Sequence, residues 1–334
     1  MRDANIVVIG GGTGSFTLLD EPKDYSDHIS VIVCMSDDGG STGVLRDELG
    51  VLPPGDVRQC LVALSRNPKM RDLFNYRFEV GTLKGHSFGN IFLTALEKTT
   101  GSFADAVVEA SNVLRVEGRV IPATLDNVRL KMTWPDGQCV EGEKDIDSMH
   151  FSQDPRQSLI SLSPKAKLNE HAIIAISNAD MIIFAPGDLY TSLAPVLAVD
   201  GMKYALEDSR ALKVYVSNLV TKQGQTDGLT VDGHVKEIER FIGAPIIDTV
   251  IYNKRIPSEE LAARYASEGS YIVPIDSEDI FRMAHYEAVG SDLLGGVETK
   301  EKADTLPVTR SYIRHDASKV VKLIKEVYTK NSND

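Results

Sequence analysis

Short runs of apolar, β-branched residues recur along the chain, and most of them end in a loop rich in glycine, hydroxyl or amide side chains. The first run covers residues 5–9 and is followed at once by GGGTGS at 10–15. Continuous runs this short are typical of buried parallel strands rather than helices. Further strands of this kind are predicted at 29–35, 181–185, 213–217 and 248–252.

Apolar residues at helical spacing lie between these strands. Val57, Leu61 and Leu64 share one helical face, and Ser102 with Asp105 forms a capping box that opens a helix to Leu114. Strands that alternate with helices favour an open α/β sheet. Other helices are predicted over 16–19, 91–98, 232–242, 257–267 and 316–328.

The pattern changes between residue 119 and residue 162. Residues 128–134 and 138–142 alternate on either side of Pro135-Asp136-Gly137, which predicts a β-hairpin, and 157–162 gives another short strand. We interpret residues 119–165 as a small antiparallel β insertion without obvious chemistry of its own. The remainder predicts a single domain over 1–315, with a C-terminal helix at 316–334 packed on it.

Four of the predicted strands end in loops that suit a ligand. In an open α/β sheet the carboxyl ends of the parallel strands form the ligand crevice, and glycine lets a backbone approach a phosphate. Several such loops at one edge are hard to explain as turns alone, so they predict a nucleotide-type ligand. The loops cover 10–15, 36–43, 186–192 and 218–224.

The glycine loop does not itself specify the nucleotide. The dinucleotide pattern G-x-G-x-x-G fails because Ser15 stands where its third glycine should be, and no Gly-Lys-Ser/Thr follows as in a P-loop. Asp37 lies about 25 residues beyond the glycines, close to where a dinucleotide fold places its ribose-binding acid. Asp37 and Asp38 also suit Mg²⁺ beside phosphates, whereas the alternative is that both only cap turns.

Composition narrows the class of protein. The 334 residues are 42% hydrophobic and 25% charged, and the net charge of −12 disfavours nonspecific binding of nucleic acid. No signal peptide and no stretch of about 18 apolar residues is present, so we expect no membrane insertion. Three cysteines without CxxC spacing indicate reduced thiols in the cytoplasm.

Six stretches together resemble the YvcK-type gluconeogenesis factor family, a CofD-like group related to the 2-phospho-L-lactate transferases. They are GGGTGS at 10–15, the stretch 36–64, GHSFGNIFLTAL at 85–96, GRVIPATLDNV at 118–128, PGDLYTS at 186–192 and SNLVTKQGQTDG at 217–228. The resemblance implies a Rossmann-like, doubly wound, mostly parallel sheet with helices on both faces. It also implies a cytoplasmic protein that binds a UDP-sugar such as UDP-N-acetylglucosamine and serves gluconeogenic growth and cell shape.

The resemblance also implies which residues bind the ligand. Asp37 and Asp38 match the aspartate pair that CofD-type enzymes place beside nucleotide and metal, so Mg²⁺ is expected there, and no catalytic residue is assigned. We further expect a homo-oligomer, a dimer, and regulatory protein partners. The implied ligand-binding residues are Gly11, Gly12, Thr13, Gly14, Ser15, Asp37, Asp38, Gly39, Gly40, Ser41, His86, Asn90, Gly187, Tyr190, Thr191, Asn218 and Thr221.

Three functions remain open at this point. The first is a regulatory protein that binds a nucleotide sugar, and the second is a CofD-type, Mg-dependent transferase of a phospho group. The third, an NAD(P)-binding protein, rests on the spacing of Asp37. Asp188 departs from the family pattern, which has Ser there, and its carboxylate would repel a diphosphate that it faced.

Overall fold

The main sheet is parallel throughout. The computed structural model describes residues 1–11, 18, 26–267, 269–295 and 314–332. In this part of the chain seven strands pair in the order β10-β9-β8-β7-β1-β2-β3. Their bounds are β1 Asn5–Gly10, β2 His28–Val33, β3 Arg119–Pro122, β7 Met181–Phe184, β8 Leu212–Val216, β9 Thr249–Asn253 and β10 Glu287–Ser291.

The central strands are apolar because both of their faces are covered. Val7 and Ile9 of β1 pack into one hydrophobic core, while Ile6 and Val8 pack into a second core on the opposite face. A strand buried on both sides needs a continuous apolar run, which is the pattern that the sequence shows. The predicted doubly wound α/β fold is therefore confirmed.

Helices cover the two faces of the sheet. The predicted helix at 16–19 lies outside the described residues apart from Leu18, which is buried. The described helices are Gly40–Leu49, Gly55–Ala63, Pro68–Asn75, Phe88–Thr100, Phe103–Leu114, Glu143–Ser148, Glu170–Ser177, Ala194–Leu197, Met202–Asp208, Val231–Ile242, Glu259–Ser267, Glu278–Met283 and Ala317–Ser332, with a 3₁₀ turn at Pro155–Gln157 and a π turn at Leu189–Leu193. None of the described helices combines the length and the apolar composition needed to cross a bilayer.

A second, antiparallel sheet forms the predicted insertion. Its strands are β4 Arg129–Thr133, β5 Cys139–Glu141 and β6 Leu159–Ser163, in the order β5-β4-β6. Leu130 and Met132 of β4 face the main core. The segment Arg119–Pro122, which the sequence pattern groups with the insertion, instead pairs in parallel with β2 at the edge of the main sheet. The sequence pattern predicts no strand at β10. Its sequence, EAVGS, is short, and its residues are exposed or only partly buried.

The order of the strands locates the crevice. The chain runs outward from β1 to β2 and β3 and then returns to β7, on the other side of β1. The boundary between β1 and β7 is therefore the switch point at which ligands of doubly wound folds bind. The four predicted ligand loops follow β8, β7, β1 and β2, which are consecutive neighbours in the sheet.

Candidate functional site

The backbone at Gly11 packs tightly against the loop after β7. A Cβ placed on Gly11 would lie 2.8 Å from Cβ of Ser192 and 3.5 Å from Oδ2 of Asp56. The ends of β1 and β7 therefore approach closely at the switch point, and a side chain at position 11 would hold them apart. Gly12, Thr13, Gly14 and Ser15, the rest of the predicted phosphate loop, lie outside the described residues.

The carboxylate of Asp37 is anchored within the loop after β2. Its Oδ1 accepts a hydrogen bond from the backbone N of Gly39 at 2.9 Å, and Thr42 also bonds to the carboxylate. Its Oδ2 lies over Gly55, where an added Cβ would be 2.6 Å away. Burial is the largest cause that raises the pKa of Asp37. Gly39 and Thr42 thus orient this carboxylate at the start of the helix Gly40–Leu49.

Ser41, His86 and Asn90 come together in one hydrogen-bond network. The hydroxyl of Ser41 and Nδ1 of His86 are 3.0 Å apart, and Nδ2 of Asn90 donates to the same hydroxyl at 3.3 Å. Arg58 is buried behind them and donates to Oδ1 of Asn90 at 2.9 Å and to Oδ1 of Asn75 at 2.8 Å. The guanidinium of Arg58 therefore supports Asn90 from inside the protein.

Asp38 points in a different direction from Asp37. Its Oδ2 accepts from Nη1 of Arg129 at 3.0 Å, and its Oδ1 accepts from the backbone N of Lys144 at 2.9 Å. Both partners belong to the antiparallel insertion or to the helix that follows it. Asp38 therefore ties the insertion to the loop after β2.

The loops after β7 and β8 are locked together by one amide side chain. Nδ2 of Asn218 donates to the carbonyl of Gly187 at 2.7 Å, and Oδ1 of Asn218 accepts from the backbone N of Gly187 at 3.2 Å. The hydroxyl of Tyr215 lies 3.3 Å from the same Oδ1. Asn218 and Gly187 thus meet, and the contact fixes the shape of this side of the crevice.

Three predicted ligand residues are buried, and their side chains bond to other residues of the protein. Tyr190 is fully buried, and its hydroxyl donates to Oε2 of Glu237 at 3.0 Å. Thr221 is buried, and its hydroxyl accepts from the backbone N of Tyr271 at 3.0 Å. Thr191 donates to Oδ1 of Asp147 at 3.1 Å. These contacts give each of the three side chains a role in packing the site loops.

A cluster of ion pairs lies on the side of the crevice that the loops after β7 and β8 form. The ammonium of Lys222 contacts the carboxylate of Asp147, and it lies 3.0 Å from Oδ2 of Asp188. Burial disfavours the charge, but the carboxylates of Asp188 and Asp147 outweigh it and raise the pKa of Lys222. The carboxylate of Asp188, which would repel a diphosphate on its own, is therefore paired with a cation.

Glu143 and Asp147 are site residues that the sequence analysis missed. Both lie on the helix Glu143–Ser148, in the insertion for which no chemistry was expected. Burial, followed by the charges of Asp37, Asp147, Asp56 and Asp38, raises the pKa of Glu143 to about 9. The signal was the acidic stretch EGEKDID at 141–147, directly after the hairpin.

Whether a metal ion fits this site depends on the metal-binding groups that a bound ligand supplies. Within the described ranges, no group of three or more His, Cys, Asp or Glu side chains is arranged to hold a metal. Asp37 and Asp38 turn their carboxylates toward different partners. Mg²⁺ often uses only one or two carboxylates, with phosphates and water as its other ligands. Mg²⁺ at this pair therefore stays a prediction that requires a phosphate-bearing ligand.

Comparison with known proteins identifies the family. Residues 6–294 match the family model of 2-phospho-L-lactate transferase CofD. The chain belongs to the CofD family. Its similarity to proteins named gluconeogenesis factors confirms the YvcK-type resemblance within this family.

Two relatives and one solved structure show how far the similarity extends. The chain is 42% identical to a putative gluconeogenesis factor of Thermoanaerobacterium thermosulfurigenes, over 97% of each chain. It is 38% identical to one of Clostridium acetobutylicum, over 98% of this chain and 70% of the relative. The crystal structure of protein BH3568 from Bacillus halodurans is similar with a TM-score of 0.86 and 37% identity, over 97% of this chain and 99% of that one.

Proposed function

We propose that this CofD-family protein binds a nucleotide sugar at the β1–β7 switch point and acts as a regulatory protein in gluconeogenic growth and cell-envelope synthesis in the cytoplasm. The ligand we propose is a UDP-sugar such as UDP-N-acetylglucosamine. The names of the relatives support the gluconeogenic part of the proposal. The observation that supports ligand binding is the approach of loops from three neighbouring strands, β1, β7 and β8, with Gly11 against Ser192 and Gly187 against Asn218.

The start of the helix Gly40–Leu49 supports a phosphate at this edge. The helix has no side-chain cap at Gly39 and no acidic residue in its first turn. The first N–H groups of a helix lack partners within the helix, and the positive end of its dipole favours an anion. At the same end of the helix, Asp37 and the Ser41–His86 pair suit the hydroxyl groups of a sugar rather than the phosphate itself.

Titration of the protein with UDP-N-acetylglucosamine, GDP and NAD, each with and without Mg²⁺, tests the proposal. We expect the UDP-sugar to bind most tightly in calorimetry. Asp37→Asn should lower its affinity about tenfold, because an amide replaces a charged acceptor, with the fold intact by circular dichroism. Asp72→Asn, a change at an exposed aspartate on the helix Pro68–Asn75, is the matched control. No UDP-sugar binding at about 1 mM would overturn the proposal.

The alternative is a CofD-type transferase, which the family match favours. In that case Mg²⁺ at Asp37 and Asp38 would neutralise phosphate charge as a nucleotide-activated phospho group is transferred. GDP binding that requires Mg²⁺ would support this alternative over the regulatory function. Absence of turnover with UDP-sugars and phospho-acceptors would count against it.

A further inference from the structure

A second cavity lies beside the antiparallel insertion. Its volume is about 420 Å³, which is within the range of sites for small metabolites. Its polar lining comes from Arg46 and Asp47 at the end of the helix Gly40–Leu49, and from Asn127, Arg129 and Ser163 at the rim of the antiparallel sheet. None of these five residues belongs to the predicted ligand set.

Arg46 lines this cavity and has one guanidinium nitrogen without a hydrogen-bond partner in the described part of the chain. The residue is only 5% exposed, and its Nη2 donates to the carbonyl of Val128 at 2.6 Å. Among the described residues, its Nη1 has no hydrogen-bond partner. Buried donors without an acceptor are rare and costly. Burial and the nearby guanidinium of Arg129 lower the pKa of Arg46, and the carboxylates of Asp38, Asp47 and Asp37 offset this only in part. An anion between the two arginines would oppose both effects.

Arg129 provides a second, more accessible guanidinium. Its side chain is 38% exposed, and its Nη2 contacts Oδ1 of Asp47 at 2.8 Å. Asp47 is itself 59% exposed, so this ion pair contributes little to stability and a ligand can replace it. Ser163 lies directly opposite Arg129 in the β4–β6 pairing and adds a hydroxyl to the same wall.

We propose that this cavity binds a small oxyanionic metabolite, with a phosphate or carboxylate group held by Arg46 and Arg129. Guanidinium groups match the geometry of both oxyanions, and Asn127 and Ser163 add neutral donors for the rest of the molecule. The Nη1 atom of Arg129 also holds Asp38, in the loop after β2. A ligand that reorients Arg129 therefore changes the restraint on Asp38, which links this cavity to the crevice at the switch point.

Calorimetric titration at low salt with inorganic phosphate, glucose 6-phosphate and malate tests the inference. We expect at least one of these probes to bind, and the preferred probe distinguishes a phosphate from a carboxylate. Arg129→Gln should weaken binding about tenfold or more, since it removes a charged donor. Asp47→Asn should strengthen binding several-fold, because it removes the carboxylate that competes for Arg129. Arg210→Gln, at an exposed arginine that precedes β8, should change nothing.

The decisive result is that Arg129→Gln weakens binding of the probe whereas Asp47→Asn strengthens it. Arg46→Lys should also weaken binding, and if that variant does not fold, Arg129→Gln and Asp47→Asn carry the test. Equal affinities of these two variants and the wild-type protein would overturn the inference, as would no binding of any probe at about 10 mM. Displacement of the probe by equimolar UDP-N-acetylglucosamine in both wild type and Asp47→Asn would also overturn it, because the anion would then occupy the crevice. Failure of nucleotide-sugar binding would leave this result unaffected.

Discussion

The two sides of the switch point are held together by different physical means. On the β2 side, Ser41, His86 and Asn90 interact through hydrogen bonds, and the guanidinium of Arg58 is met by neutral amide oxygens. On the β8 side, the ammonium of Lys222 lies between two carboxylates, one of them on the helix of the insertion. At Gly55 the β2 side is sensitive to added volume, and at Lys222 the β8 side is sensitive to lost charge, although the loop after β2 also has an ion pair between Asp38 and Arg129.

Gly55→Ala tests the tight packing of the β2 side and should have the largest effect. The new Cβ would lie 2.6 Å from both Oδ2 of Asp37 and Oγ1 of Thr42, so the anchored carboxylate must move. We expect the free energy of unfolding to fall by about 3 kcal/mol, at the upper end of overpacking costs. Urea unfolding followed by circular dichroism measures it.

Gly39→Ala is the matched control, at another glycine beside the carboxylate of Asp37. Its backbone has φ −86°, and its Cβ would meet Oδ1 of Asp37 at 3.4 Å, an ordinary contact. The loss should stay within about 1 kcal/mol, the cost of replacing glycine by alanine at an N-cap. Similar losses of stability in Gly55→Ala and Gly39→Ala would mean that Gly55 is not required for the position of Asp37.

Local sequence patterns were sufficient to predict most of the fold. The apolar run of β1 and the glycines after it occupy adjacent positions, so one stretch of sequence contains both the strand and its loop. Strand β3 was misassigned because Arg119–Pro122 is too short to distinguish a parallel edge strand from part of the insertion.

The site was predictable only where loops follow buried strands. The contacts that join the loops span long separations, such as 34 residues from Asp188 to Lys222 and 75 from Asp147 to Lys222. Neither the hydrophobic periodicity of the sequence nor the spacing of its motifs predicts such pairs. Tyr190 shows the opposite case. Its motif predicts ligand binding, whereas its hydroxyl donates a hydrogen bond to Glu237 in the core.

Lys222→Met tests the β8 side and should have the second largest effect. The variant keeps most of the side-chain volume but leaves Asp147 and Asp188 without their shared cation. Because these groups are partly exposed, we expect a loss of about 2 kcal/mol in urea unfolding rather than the larger cost of a fully buried pair. Adding Asp188→Ser should recover about half of this loss, because it removes one of the two facing carboxylates.

Lys330→Met is the control for the loss of a lysine. Lys330 contacts Oε1 of Glu287 at 2.6 Å, but both side chains are largely exposed. Its removal should change the free energy of unfolding by no more than about 0.5 kcal/mol. A comparable effect of the two lysine variants would contradict a special role for the Lys222 cluster.

Glu143→Gln tests a group that interacts with both sides, and its effect is measured as a pH dependence of stability rather than as a single loss. The pKa of Glu143 is about 9 in the folded protein, whereas the ordinary pKa of a glutamate is 4.5. Between these values the folded protein holds a proton that the unfolded chain releases, so the free energy of unfolding falls as pH rises. The slope from this one group is at most about 1.4 kcal/mol per pH unit. Glu143→Gln lacks this titrating group. Its free energy of unfolding should therefore exceed that of wild type by an increasing amount as the pH rises toward 9.

Urea unfolding of the two proteins at several values between about pH 6 and about pH 9 measures the difference in slope. Glu260→Gln, at an exposed glutamate of the helix Glu259–Ser267, is the control and should follow wild type. Parallel curves for Glu143→Gln and wild type would mean that Glu143 is ionised in the folded protein. Because Asp37 and Asp147 both raise the pKa of Glu143, Asp37→Asn should also reduce the slope. That reduction would show that the two sides of the crevice interact electrostatically through the insertion helix.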